Sequence, residues 1–385
     1  MLALAGGKVM TMTGNIFARG TVIIEGKKIR LVGEDLPVPE GCRRVSVAGC
    51  LITPGLVEAH CHVGMVEEIY REEGDDGNEY TDPVTPHLRA IDAVNPMDLG
   101  FSDALAAGVT TVVTSPGSAN VIGGEMVALK TFGEVTDEMV VRFPAGLKAA
   151  LGENPKRNYG KDKKTPATRM ASAALLREAL VKARDYLDRL AKAGEGKGDP
   201  PARDLKMEAV ARVLNGEIPL RVHAHRADDI MTAVRIAREF NLRLILEHCT
   251  EGHLIASRLA ALGIPAVVGP VITNRAKVEL QNRSLETAAA LFKAGVQVAI
   301  MTDHPVVPIQ YLALSAGLAV RGGLDENRAL EAITSAAAGI TGLSDRVGSL
   351  TPGLDADIVV WEGHPFDLRS RVRQVYLEGE LVFEG

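Results

Sequence analysis

Hydrophobic and polar positions alternate in two ways along this chain, and the change of period divides it. Between Thr21 and Gly33 the apolar residues come in two short runs, Val22-Ile23-Ile24 and Ile29-Arg30-Leu31-Val32, on either side of Gly26-Lys27. Short β-branched runs flanking such a pair predict two strands joined by a tight turn. The far end repeats the pattern, with Asp357 to Trp361 as a strand and Val372 to Val382 as a hairpin. Pro54-Gly55 and Pro352-Gly353 punctuate the inner borders of both stretches. The expectation is a small β-sandwich domain assembled from both termini, residues 1–54 plus 352–385.

Inside those borders helical and strand-like runs take turns. Asp98 to Ala107 predicts a helix closed by Gly108, and Val109 to Thr114 a strand. Met126 to Lys130 and Val140 to Lys148 predict further strands. Thr165 to Ala193 has a long 3.6-residue period and predicts a helix, followed by a Gly- and Pro-rich break and a second helix over Asp204 to Leu214. Strand-like Pro219 to His223, Leu242 to Glu247, Ile264 to Val268 and Val296 to Met301 then alternate with helical Ala227 to Phe240, His253 to Leu262 and Leu285 to Ala294. Counting from Leu56, about eight strands interleave with helices, which is the α/β pattern of a (β/α)8 TIM-like barrel. It would span residues 55–351, with a helical insertion at about 165–215.

In such barrels, side chains that do chemistry gather at the C-terminal ends of the strands. Metal-type residues fall there repeatedly. His60 and His62 end the first strand, Lys148 the fourth, His223 and His225 the fifth, Glu247-His248 the sixth and Asp303-His304 the last. Residues two apart on a strand point the same way, so His60 and His62 offer two imidazoles side by side, half of a site for a borderline metal. The same parity turns Glu58 inward with them, Arg221 inward with His223, and Gln297 inward with Asp303. Glu58 and Arg221 are expected to share a buried polar network, because buried charge survives only when paired.

Composition narrows the function classes. The apolar fraction of 46% and charged fraction of 24% are those of a soluble globular protein. A net charge of −6 and the lack of a basic stripe speak against nucleic-acid or anionic-membrane partners. No run approaches the ~18 apolar residues of a membrane span, and the start lacks a signal-peptide pattern. Cys42, Cys50, Cys61 and Cys249 form no framework, which fits a reducing, cytoplasmic setting. Cys61 and Cys249 adjoin histidines of interest but should face away from them as small buried hydrophobes. A small-molecule substrate is expected, and a homo-oligomer is allowed.

Taken in order, Pro54-Gly55-Leu56-Val57-Glu58-Ala59-His60-Cys61-His62, Gly108-Val109-Thr110-Thr111-Val112, Val222-His223-Ala224-His225, Glu247-His248, Thr302-Asp303-His304-Pro305 and the closing stretch from Gly348 to Val360 resemble the amidohydrolase superfamily of metal-dependent hydrolases. The resemblance covers essentially the whole chain and leans to its imidazolonepropionase-like and prolidase-like members. It implies His60, His62, His223, His248 and Asp303 as metal ligands or catalytic residues. It also implies a divalent metal, zinc by default for this ligand chemistry, as one ion or two. The choice of His223 over His225 as ligand rests on the resemblance alone, since both share one face. His225 would then act on the substrate.

Lys148 bears on the metal count. In binuclear relatives a lysine at this position is carbamylated and bridges two ions; the bland alternative is an ammonium paired with a carboxylate. Glu125 is the candidate for the glutamate that some relatives use instead. The implied reaction is hydrolysis of a C–N bond, in an amide or cyclic amide, with Asp303 as general base and acid and with His248 or His225 assisting the oxyanion. A dipeptide or N-acyl compound is the expected substrate. Asn120, Arg157 and Arg226 lie just past strand ends and are candidate substrate contacts, while His87, His253 and His364 carry no spacing signal. The competing readings are a mononuclear imidazolonepropionase-like or deaminase-like enzyme acting on a cyclic amide or amidine, and an inactive scaffold of the same fold. A purely structural zinc site is disfavoured, because those prefer closed, cysteine-rich shells.

Overall fold

The computed structural model describes residues 1–69 and 72–385. Its strands, in chain order, are β1 (Leu2–Met10), β2 (Ile16–Glu25), β3 (Lys28–Glu34), β4 (Arg43–Ser46), β5 (Leu51–Pro54), β6 (Leu56–Cys61), β7 (Val109–Thr114), β8 (Ile122–Lys130), β9 (Val140–Ala150), β10 (Leu220–Ala224), β11 (Leu244–His248), β12 (Ala266–Val268), β13 (Val298–Ile300), β14 (Ile358–Glu362), β15 (Arg371–Leu377) and β16 (Glu380–Glu384).

The turn predicted at Gly26 joins β2 to β3, with Gly26 in the left-handed region at φ 56°. These strands belong to an eight-stranded sheet in the order β16-β15-β14-β5-β1-β2-β3, with β4 also on β1. The sheet branches on β1: Leu2 to Ala5 pair with β4, whereas Lys8 and Val9 pair with β5. The switch happens at Gly6-Gly7, where a Cβ on Gly7 would lie 2.9 Å from Val47 O and 3.0 Å from Cys50 O. Leu4, Val9, Val22, Ile29, Ile358 and Tyr376 then meet in one core, so strands from both termini enclose the same apolar interior.

The second sheet runs β13-β12-β11-β10-β9-β8-β7-β6 and is nearly closed. Seven strands are parallel, but β8 is antiparallel to both β7 and β9. Connection length explains the exception. Parallel neighbours need a crossover of about a dozen residues or more, and β8 is reached and left through short segments with only the one-turn helix Thr136–Met139 between. No ladder joins β13 to β6 among the described residues. The ring closes instead through Val57 N donating to Ile333 O at 2.8 Å, His62 N to His304 O at 2.9 Å and Thr302 N to Glu58 Oε2 at 2.9 Å.

The long amphipathic segment forms the helix Arg169–Gly194, which begins later than its periodicity suggests because Thr168 caps it by accepting from Ala171 N. Asp204 caps the helix Leu205–Leu214 in the same way, accepting from Lys206 N and Met207 N. Both helices fill the passage from β9 to β10. No helix among the described residues is long and apolar enough to cross a membrane.

A buried ion cluster ties the two sheets together. Lys130, at the end of β8, donates to Asp355 Oδ2 at 3.0 Å and to Asp357, and Arg346 Nε donates to Asp355 Oδ2 at 2.8 Å. Burial alone would raise Asp355, but Arg346, Lys130 and Lys28 override it and hold the carboxyl at about 2.

Candidate metal centre and cavity

Strand parity delivers the first part of the site. Every residue of β6 is buried, and Glu58, His60 and His62 turn inward while Cys61 turns away, its Sγ 3.7 Å from Val113 O. His60 Nε2 lies 3.4 Å from Asp303 Oδ1 and 3.3 Å from Lys148 Nζ, and His62 Nε2 lies 3.4 Å from the same carboxylate oxygen. His60, His62 and Asp303 thus bring one donor atom each to a common point.

A second group gathers beside it. The ring centroids of His223, His225 and His248 are 4.2 to 4.7 Å apart, and one ring nitrogen of each converges with the others. Alternation alone would send Glu247 and His248 to opposite faces. The chain leaves regular strand geometry here, with φ at 67° for His248 and 50° for Cys249, and the imidazole swings back inward. Asp303 is turned in the same manner at φ 57°. Such conformations are costly for non-glycine residues and gather at functional sites.

Hydrogen bonds decide which ring nitrogen is free. His62 Nδ1 donates to Ser115 O at 2.7 Å and His248 Nδ1 to Gly269 O at 3.0 Å, so both present Nε2 as a lone pair. His223 Nδ1 is 2.9 Å from Ser118 Oγ, and His225 Nδ1 is 2.7 Å from Thr250 Oγ1. His248 Nε2 is buried with no hydrogen-bond partner in the protein. Burial drives the imidazoles to the neutral form that metals bind. It lowers His60 and His225 to about 4, and His223 and His248 well below the ordinary range. For Asp303, burial would raise the carboxyl, but the surrounding imidazoles, His248 foremost, outweigh it and hold the group ionised. Burial lowers Lys148 to about 8 against the pull of Glu247 and Asp303. Neutral imidazoles, an ionised carboxylate and an orphaned buried nitrogen suit a borderline divalent cation. The residues therefore fit such an ion.

Beneath the histidines lies buried charge, but with a different pairing from the one parity suggested. Arg221 Nε donates to Glu247 Oε1 at 2.6 Å rather than to Glu58. Glu58 accepts from Thr302 N at 2.9 Å and Thr302 Oγ1 at 2.7 Å, and burial raises it to about 8 despite those bonds. Gln297 does not follow Asp303 inward: it is exposed, one residue before β13 begins, where the regular alternation does not yet apply. Glu125 accepts from Arg212 Nη1 at 2.9 Å, which commits it to the helix Leu205–Leu214 rather than to the histidines. His304 supports its loop by accepting from Ile309 N at 3.2 Å.

Both groups open onto a cavity of about 500 Å³ whose wall includes His62, His223, His225, His248, Asp303 and Lys277. Lys277 is the one lysine or arginine on that wall, among the described residues, and its Nζ donates to Asn154 Oδ1 at 2.9 Å. Buried Glu279 points Oε1 at His225 Nε2, 3.7 Å away, and at His223 Nε2, 3.9 Å away. Sequence reasoning missed Lys277, Asn154 and Glu279. Their one signal is position, since Asn154 follows the end of β9 and the other two occupy the loop after β12.

The three expected substrate contacts do not line the cavity. Asn120 is buried with its amide committed to Glu79 O at 2.7 Å and Asp82 O at 2.8 Å. Arg226 is held by Asp228, with both bonds at 2.9 Å. Arg157 is exposed on the outside of the helix Glu153–Gly160.

Known proteins resemble this chain along most of its length. Residues 51–382 match the Amidohydrolase family. The chain is 30% identical over 391 residues to amidohydrolase tasK of Hapsidospora irregularis, covering 95% of this chain but 40% of that longer protein. It is 28% identical over 408 residues to an imidazolonepropionase of Cereibacter sphaeroides, covering 99% of this chain and 100% of that one. A crystal structure of an amidohydrolase from Thermotoga maritima MSB8 is 44% identical and superposes with a TM-score of 0.97 over 100% of both chains.

Proposed function

Since the chain belongs to the amidohydrolase family, in its imidazolonepropionase/prolidase-like branch, and is a hydrolase acting on C–N bonds, we propose that it cleaves an amide or cyclic amide in a small, carboxylate-bearing molecule such as an N-acyl compound or a dipeptide. The observation that carries this reading is one cavity onto which both donor groups open, with Lys277 the one lysine or arginine on its wall among the described residues.

His60, His62 and Asp303 would hold one divalent ion, with zinc the default for such donors. His223 and His248 would contribute to a second. A bound ion supplies Lewis acidity, lowering the pKa of water toward ~7 and polarising a carbonyl. Asp303, kept ionised by its surroundings, takes the proton of the attacking water and hands it to the departing nitrogen. His248 has its one proton on Nδ1, engaged with Gly269 O, so its Nε2 has none to give while the ring is neutral. His225 is better suited to the developing oxyanion. The Thr250 hydroxyl can donate to its Nδ1, which leaves Nε2–H as a donor. Lys277 offers an ammonium to the substrate carboxylate, 2.9 Å from the Asn154 amide oxygen that steers it.

Lys148 favours two ions. It is fully buried and lies between both groups, acting electrostatically on His60 and His223; burial lowers it to about 8, so a minority of it is the neutral amine near neutral pH. A neutral amine is the form that takes up carbon dioxide to become a carbamate. The alternative is a mononuclear enzyme on a cyclic amide, favoured by the full-length likeness to an imidazolonepropionase. Elemental analysis of zinc per chain, with and without bicarbonate, separates the two. A screen of N-acyl amino acids, dipeptides and cyclic amides on the zinc-loaded protein tests the activity. Turnover of amidines alone, with no amide hydrolysed, would overturn the amide reading.

A further inference from the structure

The largest fully buried side chain is Arg221, and neither metal binding nor acid–base chemistry explains it. Its Nε donates to Glu247 Oε1 at 2.6 Å and its Nη2 donates to Ala59 O at 2.7 Å, the residue next to His60. The other oxygen of Glu247, Oε2, has no hydrogen-bond partner, and neither has His60 Nδ1. These two orphaned atoms face each other at 3.4 Å. On the other side of the ring, His60 Nε2 faces Lys148 Nζ at 3.3 Å and Asp303 Oδ1 at 3.4 Å.

We infer that Glu247, locked in place by Arg221, is a positioning residue that fixes which nitrogen of His60 carries the proton. An ionised carboxylate can only accept and a guanidinium can only donate. Arg221 therefore claims Oε1, and Oε2 is left to accept from His60 Nδ1–H. Nε2 is then a bare lone pair aimed at Asp303 and Lys148. Two acceptors, Nε2 and Asp303 Oδ1, face each other across 3.4 Å, an arrangement that a cation between them satisfies. His62 and His248 have their Nδ1 protons fixed by backbone carbonyls. His60 has a charged side chain in that role, and a carboxylate behind a ring also raises its basicity as a ligand. The inference rests on the proposal that His60 holds a metal.

Glu247→Gln tests it, because Arg221 dictates how the amide must sit. With only donors, Arg221 holds the amide oxygen, so the amide N–H faces His60 Nδ1 and donates to it. The His60 proton is forced onto Nε2, where a metal must bind. Long-range 15N–1H spectra of histidine-labelled, metal-free protein read the tautomer directly. Wild type should show His60 protonated at Nδ1 and Glu247→Gln at Nε2. Zinc affinity, measured by chelator competition, should fall ~10–100-fold in the variant while its far-UV spectrum and cooperative melt stay native. In Arg221→Met/Glu247→Gln the amide is free to rotate, so the Nδ1 tautomer and part of the lost affinity should return. A role confined to structure predicts no such recovery. A wild-type His60 protonated at Nε2 overturns the inference even if no variant folds, as does a tautomer unchanged by Glu247→Gln. A wild type that binds no zinc yet shows the Nδ1 tautomer overturns the metal reading and leaves the positioning inference standing.

Discussion

The two donor groups at the cavity floor are built from different material. His60, His62 and Asp303 are set among buried ionisable groups: Lys148, the Arg221–Glu247 pair and Glu58 all lie within the barrel. His223, His225 and His248 are three imidazoles held by loop partners, namely Ser118, Thr250 and Gly269, with Glu279 as the nearest carboxylate. The first group is fixed by strands and buried charge. The second also rises from strands, β10 and β11, but its imidazoles are held by loop hydroxyls and a loop carbonyl rather than by buried charge. A group set in buried charge beside one held by neutral partners suits a site in which one half handles protons and the other meets the substrate.

The sharpest way to break this contrast is Asp303→Asn. It removes the proton carrier of the first group, so kcat should fall ~10²–10⁴-fold with zinc retained. Steady-state kinetics and elemental analysis read both, and near-normal turnover would end the assignment. Next in size is Lys148→Met. If the lysine carries a carbamate serving both groups, zinc should drop from two equivalents to one and activity by ~10–100-fold, unresponsive to bicarbonate.

Lys277→Met probes the side of the second group. Losing a charged hydrogen bond to a carboxylate should raise KM ~10–100-fold with little change in kcat. Equal losses for neutral and carboxylate-bearing substrates would show that Lys277 does not read the carboxylate.

Acid should expose the difference in the metal-free protein. His60 and His225 sit at about 4 in the fold against an ordinary 6.5, so the folded form binds fewer protons between those values. Their contribution is complete above pH 6.5 and is lost as pH falls toward 4, by about 1 kcal/mol per group per pH unit. Glu58, raised from 4.5 to about 8, acts oppositely: its contribution is complete below 4.5 and is lost as pH rises through 8. Glu58→Gln should therefore keep the acid-side loss and abolish the alkaline one, as thermal melts across pH would show. The smallest effect is expected for Arg226→Ala. Its guanidinium is spent on Asp228, so kcat and KM should change less than about twofold.

Legibility follows the same division. His60, His62, Glu58 and Arg221 could be placed from the sequence because strand alternation is a strict rule, and β6 and β10 obey it. Which charge would meet Arg221 could not, because the partner is set by the neighbouring strand, where His223 stands beside Glu247 in the ladder. Gly26 and the Pro-Gly borders announced the small sheet, but nothing local announced its branching on β1. The reversed β8 hid among strands of the expected length, since direction is decided by the connection and not by composition. Lys277 and Glu279 lie in a loop without periodicity, and their role appears only once the ends of β9 and β12 are brought together.

The missing ladder between β6 and β13 has a further consequence. His60 and His62 stand on one bank of that gap and Asp303 on the other, so an ion shared by the three would act as a rivet across the seam of the barrel. Ligands that bind only the closed form stabilise it in proportion to their occupancy. How often the ring springs open, and how soon a protease finds it open, would then track the supply of metal. On the proposed reading, the lifetime of this protein would follow metal supply through the three side chains that face one another across the seam.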